Sequence, residues 1–173
     1  MTRRADLAAA RMLAEHGITQ PPVDVEALAA ESGIAVVRRP FTDGDVSGML
    51  FRGGKRDIIG VNSSHAVQRQ RFTIAHELGH HSLHPGRELI LDVPVRVNFR
   101  DNTSSTATNR EEIEANAFAA ALLMPEPMIR DHLDRLTATT RRDPDTTAAA
   151  LAKVFKVSVS ALGFRLINLG LTS

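Results

Sequence analysis

Residues 76–80 read His-Glu-Leu-Gly-His. On a helix the two histidines lie one turn apart on one face, so both imidazoles can point at a single tetrahedral zinc ion. Glu77 is one residue along, too far round the helix to be a comfortable third ligand. It can reach a water in the open coordination position instead. That is the division of labour a metallopeptidase needs. The ion polarises the scissile carbonyl and acidifies the water, while Glu77 takes the water's proton and returns it to the leaving amine. The competing reading is a solvated helix with two exposed histidines. Ile74, Ala75, Leu78 and Leu83 oppose it, because they give the helix an apolar side. Gly79 costs about 1 kcal/mol relative to alanine in a helix interior, which is tolerable where something packs close.

With no cysteine in the chain, thiolate ligation and disulfides are excluded. A third ligand must be His, Asp or Glu. His84 continues the i, i+4, i+8 series, but three ligands along one straight helix span about 12 Å, too far to converge on one ion. The third ligand is therefore expected from a second helix, REEIEANAFAAALLMP. There Glu111 has the spacing of a capping-box partner for Thr108. Glu112 and Asn116 form an i, i+4 pair on one face, with Glu112 as ligand and Asn116 hydrogen-bonding a ligand from behind. Glu114, about 200° around the helix from Glu112, is the competitor for the ligand role. Beyond Asn116 the helix is almost wholly apolar, so it is expected to be buried. An unpaired carboxylate near its start would be costly. Tyrosine and tryptophan are absent. The candidate donors to a tetrahedral oxyanion are thus His81 and His84, whose competing reading is that of surface histidines favoured by the helix C-terminus.

The elements that must hold these residues can be read from pattern and punctuation. A first helix is expected from Asp6 to about His16, stopped by Gly17, and a second in VDVEALAAES, capped by Asp24 and ended by Gly33. IAVVRR, VSGMLFR and RDIIGVN read as three short strands, the last two joined by a turn at Gly53-Gly54-Lys55. Ser63 or Ser64 is expected to cap the zinc-binding helix, about 65–84. Residues 86–108 read as irregular, with Pro94 interrupting an apolar run. After the second motif helix, about 110–124, come EPMIRDHLDRLT, TTAAALAKVFK and SALGFRLINLG. The fold class is α+β, a small antiparallel sheet of about three strands on a mainly helical body. VSGMLFR is a candidate edge strand on which an extended substrate could add.

RFTIAHELGHHSLHP followed by EANAFAAALLMP strongly resembles the ImmA/IrrE-type metallopeptidases, and the similarity extends from VDVEALAAESGIAVV through the strands to LLMP. The resemblance implies a zincin-like body with thermolysin-like ligands, placing zinc on His76, His80 and Glu112 and catalysis on Glu77. It further implies site-specific cleavage of a protein partner, typically a helix-turn-helix transcriptional repressor, in stress response or mobile-element control.

The 173 residues suit one domain, with residues 1–124 as the zinc-binding core and 125–173 as a C-terminal helical part. An apolar fraction of 43% supports a buried core, and a net charge of +1 gives no electrostatic case for nucleic acid or an acidic membrane. Asp6, Arg11 and Glu15 interrupt any signal-peptide apolar region. A cytoplasmic protein with no membrane association is expected. Two other functions compete. The last two helices resemble a helix-turn-helix and suggest a DNA-binding regulator, but Lys153, Lys156 and Arg165 are a thin phosphate footprint. A non-catalytic zinc-stabilised binding module is opposed by Glu77, since a structural site needs no base.

Overall fold

The computed structural model describes residues 2–42, 46–86, 88–92, 104–137, 140 and 143–171. Local sequence sets the first elements. Helix α1 (Thr2–Glu15) stops before Gly17, and α2 (Val25–Glu31) before Gly33. Both glycines have the positive φ, 64° and 78°, that ends helices at low cost. Asp24 caps α2, its carboxylate accepting from the amides of Glu26 and Ala27 at 3.1 Å each.

Strands β1 (Ala35–Arg39), β2 (Gly48–Phe51), β3 (Ile58–Asn62) and β4 (Leu89–Asp92) form a sheet in the order β1-β3-β2-β4. The β2–β3 pair is antiparallel, as the Gly-Gly turn requires. Two features differ from the sequence expectation. β1 runs parallel to β3, with Ala35 opposite Ile58, because no tight turn joins it to β2 and it enters on the far side of β3. β4 comes from the stretch read as irregular and pairs antiparallel with β2, Gly48 facing Asp92. β2 is therefore an interior strand, which corrects its reading as an edge; β4 lies at that side of the sheet.

Helix α3 (Val67–Leu83) packs between this sheet and α4 (Ser104–Leu123), and α4 in turn packs against α1. Ser63 and Ser64 do not cap α3: its N-cap is Ala66, with no side-chain hydrogen bond. α4 begins well before the expected start, so Thr108 and Glu111 lie inside the helix rather than at its N-terminus. The expectation for residues 93–103 lies outside the described residues. Apolar groups on α4 are buried on several sides, Ala115, Phe118, Ala119, Leu122 and Leu123 among them, because helices cover it from two directions. Helices α5 (Glu126–Arg135), α6 (Pro144–Phe155) and α7 (Val159–Asn168) follow. The buried cluster is continuous from Ala9 on α1, through Ile59, Leu78 and Phe118, to Phe155 and Leu162 on the last two helices.

Candidate metal centre

Gly79 determines how closely α3 and α4 approach. A Cβ built there would lie 3.1 Å from the Ala115 Cα and 3.1 Å from the Phe118 ring. The glycine's helix-propensity cost thus goes with a tight crossing. The crossing brings the start of the apolar part of α4 against the motif on α3.

At the crossing, His76, His80 and Glu112 converge. The two Nε2 atoms are 3.0 Å apart. The Glu112 carboxylate spans them, Oε2 at 3.2 Å from His76 Nε2 and Oε1 at 3.3 Å from His80 Nε2. His76 and His80 are buried, and the Glu112 side chain is 14% exposed. Among the described residues, this is the group of three whose ligand atoms could share a metal ion, all within 4.8 Å of one another. Tetrahedral ligands 2.0–2.1 Å from zinc are separated by about 3.3 Å, close to the spacing here. Burial raises the Glu112 carboxyl pKa, but the contacts with His76 and then His80 outweigh it and hold the group at about 2.

What lies behind each imidazole fixes the nitrogen it can offer. His76 Nδ1 is 3.1 Å from the Asn116 Oδ1. An oxygen can only accept, so the proton sits on Nδ1 and the Nε2 lone pair faces the centre. His80 Nδ1 is 3.1 Å from His84 Nδ1, and His84 Nε2 is 3.2 Å from Glu114 Oε2. A carboxylate also only accepts. His84 therefore donates from Nε2, accepts at Nδ1 from His80 Nδ1–H, and leaves His80 Nε2 with its lone pair toward Glu112. Two nitrogen lone pairs and a carboxylate about 3 Å apart repel one another unless a cation lies among them, so this donor set fits a metal.

Glu114 is not part of the converging group. It is buried on the other side of His84, where Arg4 donates to Oε2 and Arg110 to Oε1, each at 3.1 Å. The His84 hydrogen bond holds its carboxyl low against burial, with help from Arg110 and Arg4. Burial in turn holds the His84 imidazole below its ordinary range despite the Glu114 bond. At neutral pH Glu114 is thus a carboxylate and His84 is neutral. Arg4 also donates to the Leu83 carbonyl at 3.0 Å, and Arg52 to the His80 carbonyl at 2.9 Å. These bonds occupy carbonyls of the last turn of α3, which carries His80.

Glu77 is fully buried on the sheet side of α3. Gly48 on β2 makes room for it: a Cβ there would overlap the Thr73 methyl and come within 3.2 Å of Glu77 Oε1. Of the two residues expected as oxyanion donors, His84 has both ring nitrogens engaged behind His80. His81, half-buried, meets Asp57 Oδ2 at 3.0 Å from its Nε2. The chemistry-bearing residues that the sequence patterns did not single out in these roles are Gly48, Arg4 and the His84–Glu114 pair. A glycine inside a strand pattern was the signal available for Gly48.

Known proteins share this pattern. Residues 29–167 match the peptidase family described as the IrrE N-terminal-like domain. The chain is 35% identical over 113 residues to the radiation response metalloprotease IrrE of Deinococcus radiodurans, a match covering 62% of this chain and 30% of that protein. It is 24% identical over 127 residues to the metallopeptidase ImmA of Bacillus subtilis, covering 73% of this chain and 66% of that one. It thus spans less than two thirds of either relative. The fold is similar to that of a Mycobacterium tuberculosis transcriptional regulator, with a TM-score of 0.59 at 20% identity over 95% of this chain and 46% of the other.

Proposed function

The chain belongs to the IrrE N-terminal-like peptidase family, and from that premise we propose that it is a zinc-dependent endopeptidase that cuts a protein regulator at a specific site. The observation that carries the reading is the convergence of His76, His80 and Glu112 at the spacing of a zinc tetrahedron, with Glu77 buried beside them. His76, His80 and Glu112 would hold the ion. When bound, zinc supplies Lewis acidity to the scissile carbonyl and lowers the pKa of the attacking water. The remaining work falls to the chain. Asn116 and His84 hold the two imidazoles with their Nε2 lone pairs inward. Glu77 takes the proton of the attacking water and passes it to the leaving amine.

The substrate proposed is a helix-turn-helix transcriptional repressor, as the family resemblance implies, which would place the reaction in the cytoplasm. In this reading residues 1–124 and 125–173 act as one domain, the second part packed on the first. Among the described residues, no helix is long and apolar enough to cross a membrane.

The test is a cleavage time course, followed by mass spectrometry, on helix-turn-helix repressors offered as substrates. Wild type and Glu77→Gln are compared at matched zinc content. Glu77→Gln keeps the size and one acceptor oxygen but removes the base. It should retain zinc and fold, and cleavage should fall by about 10²–10⁴, the reach of general base catalysis. A variant that keeps its zinc and cuts at the wild-type rate removes Glu77 from the role.

A further inference from the structure

A cavity of about 550 Å³ opens beside the metal centre, and His76 and Asn116 form part of its wall. The rest of the lining mixes apolar side chains with Ser47, Gln68, Arg69 and Thr73, Arg69 donating to the Ser47 hydroxyl at 2.8 Å, and its carbon surface comes mostly from two distant parts of the chain. Phe72 stands one turn before His76 on α3, while Val157, Ala161 and Phe164 come from the α6–α7 turn and from α7. The Phe164 side chain is 68% exposed, although it is among the largest apolar groups in the chain. An exposed aromatic at the mouth of an apolar cavity marks a binding site more often than an isolated surface residue does.

The wall contributed by the C-terminal helices is fixed in place. Arg71, the neighbour of Phe72, donates from Nε to the Lys156 carbonyl at 3.3 Å and from Nη2 to the Val23 carbonyl at 2.8 Å. Lys156 caps α6 with φ 53°, so the turn is pinned onto α3 close to His76. At the other end, Arg165 of α7 donates to the Met124 carbonyl and to Asp6. The helix-turn-helix-like pair thus directs Ala161 and Phe164 into the cavity beside His76, and one of its three basic residues is engaged with Asp6.

We propose that this cavity is a specificity pocket that receives a bulky apolar side chain of the substrate, on a residue flanking the scissile bond. The inference rests on the peptidase reading above and adds to it the class of residue recognised and the role of the last two helices. The occupant follows from continuity with the centre. His76 and Asn116 belong both to the site that would act on the peptide bond and to the cavity wall. A chain crossing that site therefore has a side chain within reach of the cavity. Phe72, Val157, Ala161 and Phe164 offer it carbon surface, and the charged residue of the lining, Arg69, is engaged at the wall by the Ser47 hydroxyl.

The test uses two peptide hydroxamates, which chelate zinc. One carries a phenylalanine side chain next to the chelating group and the other a glycine. Each is titrated calorimetrically into the zinc-loaded full chain. The phenylalanine probe should bind at least tenfold more tightly, the gain expected from burying a phenyl ring. Ala161→Phe, which fills the cavity, and Phe164→Ala, which opens its wall at an exposed position, should each cut that advantage to about twofold or less. Neither should change zinc content or the affinity for the glycine probe. Equal affinity of both probes for wild type, or an advantage that survives both substitutions, overturns the pocket and leaves the metal site standing. If neither probe binds the zinc-loaded chain, the metal-centred reading fails and the pocket with it.

Discussion

A histidine ligates a metal through a nitrogen that carries no proton, so the group behind the other nitrogen decides which one is available. Here that group differs for the two proposed ligands. His76 has a neutral amide oxygen behind it, whereas His80 has a second imidazole backed by a buried carboxylate. Removing a partner of this kind typically costs 10–100-fold in metal affinity. His84→Ala should therefore weaken zinc binding by about that factor in a chelator competition, with all three proposed ligands intact. An unchanged affinity would mean that His84 only fills space. The two carboxylates should separate in the same assay. Glu112→Gln should reduce zinc affinity far more than Glu114→Gln, because a glutamine at 114 still offers His84 an acceptor oxygen; the reverse order would make Glu114 the ligand. Much of this site was legible in the sequence. His76, Glu77 and His80 follow from helix periodicity, and so does the pairing of Glu112 with Asn116. The His84–Glu114 pair was not legible, because it joins two helices at a sequence separation of 30. No local rule assigns one helix's unused histidine to another helix's unused glutamate.

Elements carry information of a different kind, in how closely they can approach. The sequence showed that Gly79 was worth its propensity cost where something packed close, and the neighbour proves to be the α4 backbone at Ala115. Gly79→Ala should therefore have opposed effects. Helix propensity improves by about 1 kcal/mol, but a methyl at 3.1 Å from the Ala115 Cα forces the helices apart, and overpacking of that sort costs about 1–3 kcal/mol. The stability change should be small, while zinc affinity falls at least tenfold because Glu112 retreats from the histidines. A thermal melt and a zinc titration on one preparation separate the two. A variant that loses stability but keeps its zinc affinity would show that the crossing does not set the ligand geometry. The sheet was harder to read at this scale. Helix ends with glycine stops and the Asp24 cap are encoded within a few residues. The parallel entry of β1 beside β3 and the addition of β4 beside β2 depend on tertiary pairing, which leaves no periodic mark in four- or five-residue strands.

At the scale of the whole molecule, the centre lies where the layers meet. α3 faces the sheet on one side and α4 on the other, and Arg4 carries the connection on to α1 through Glu114 and the Leu83 carbonyl. A zinc ion bridging α3 to α4 would thus tie together two helices separated in sequence by the stretch that carries β4. An unfolded chain, with residues 80 and 112 far apart, offers no such preformed set. Binding that favours the folded state stabilises it according to the ratio of free metal to dissociation constant, about 4 kcal/mol at a thousandfold excess. For a chain of this size each kcal/mol shifts the melting temperature by about 2–4 °C, so zinc removal should lower it by roughly 10 °C. Melts followed by circular dichroism with zinc and with excess chelator would measure the shift. The Glu112→Gln protein supplies the control. It should melt near the chelated wild type and respond little to either addition, since its bridge between the helices is lost. If wild type binds one zinc per chain and its melting temperature is the same with chelator, the ion is held as well by the unfolded chain as by the folded one. The assignment of the bridge to His76, His80 and Glu112 would then be wrong.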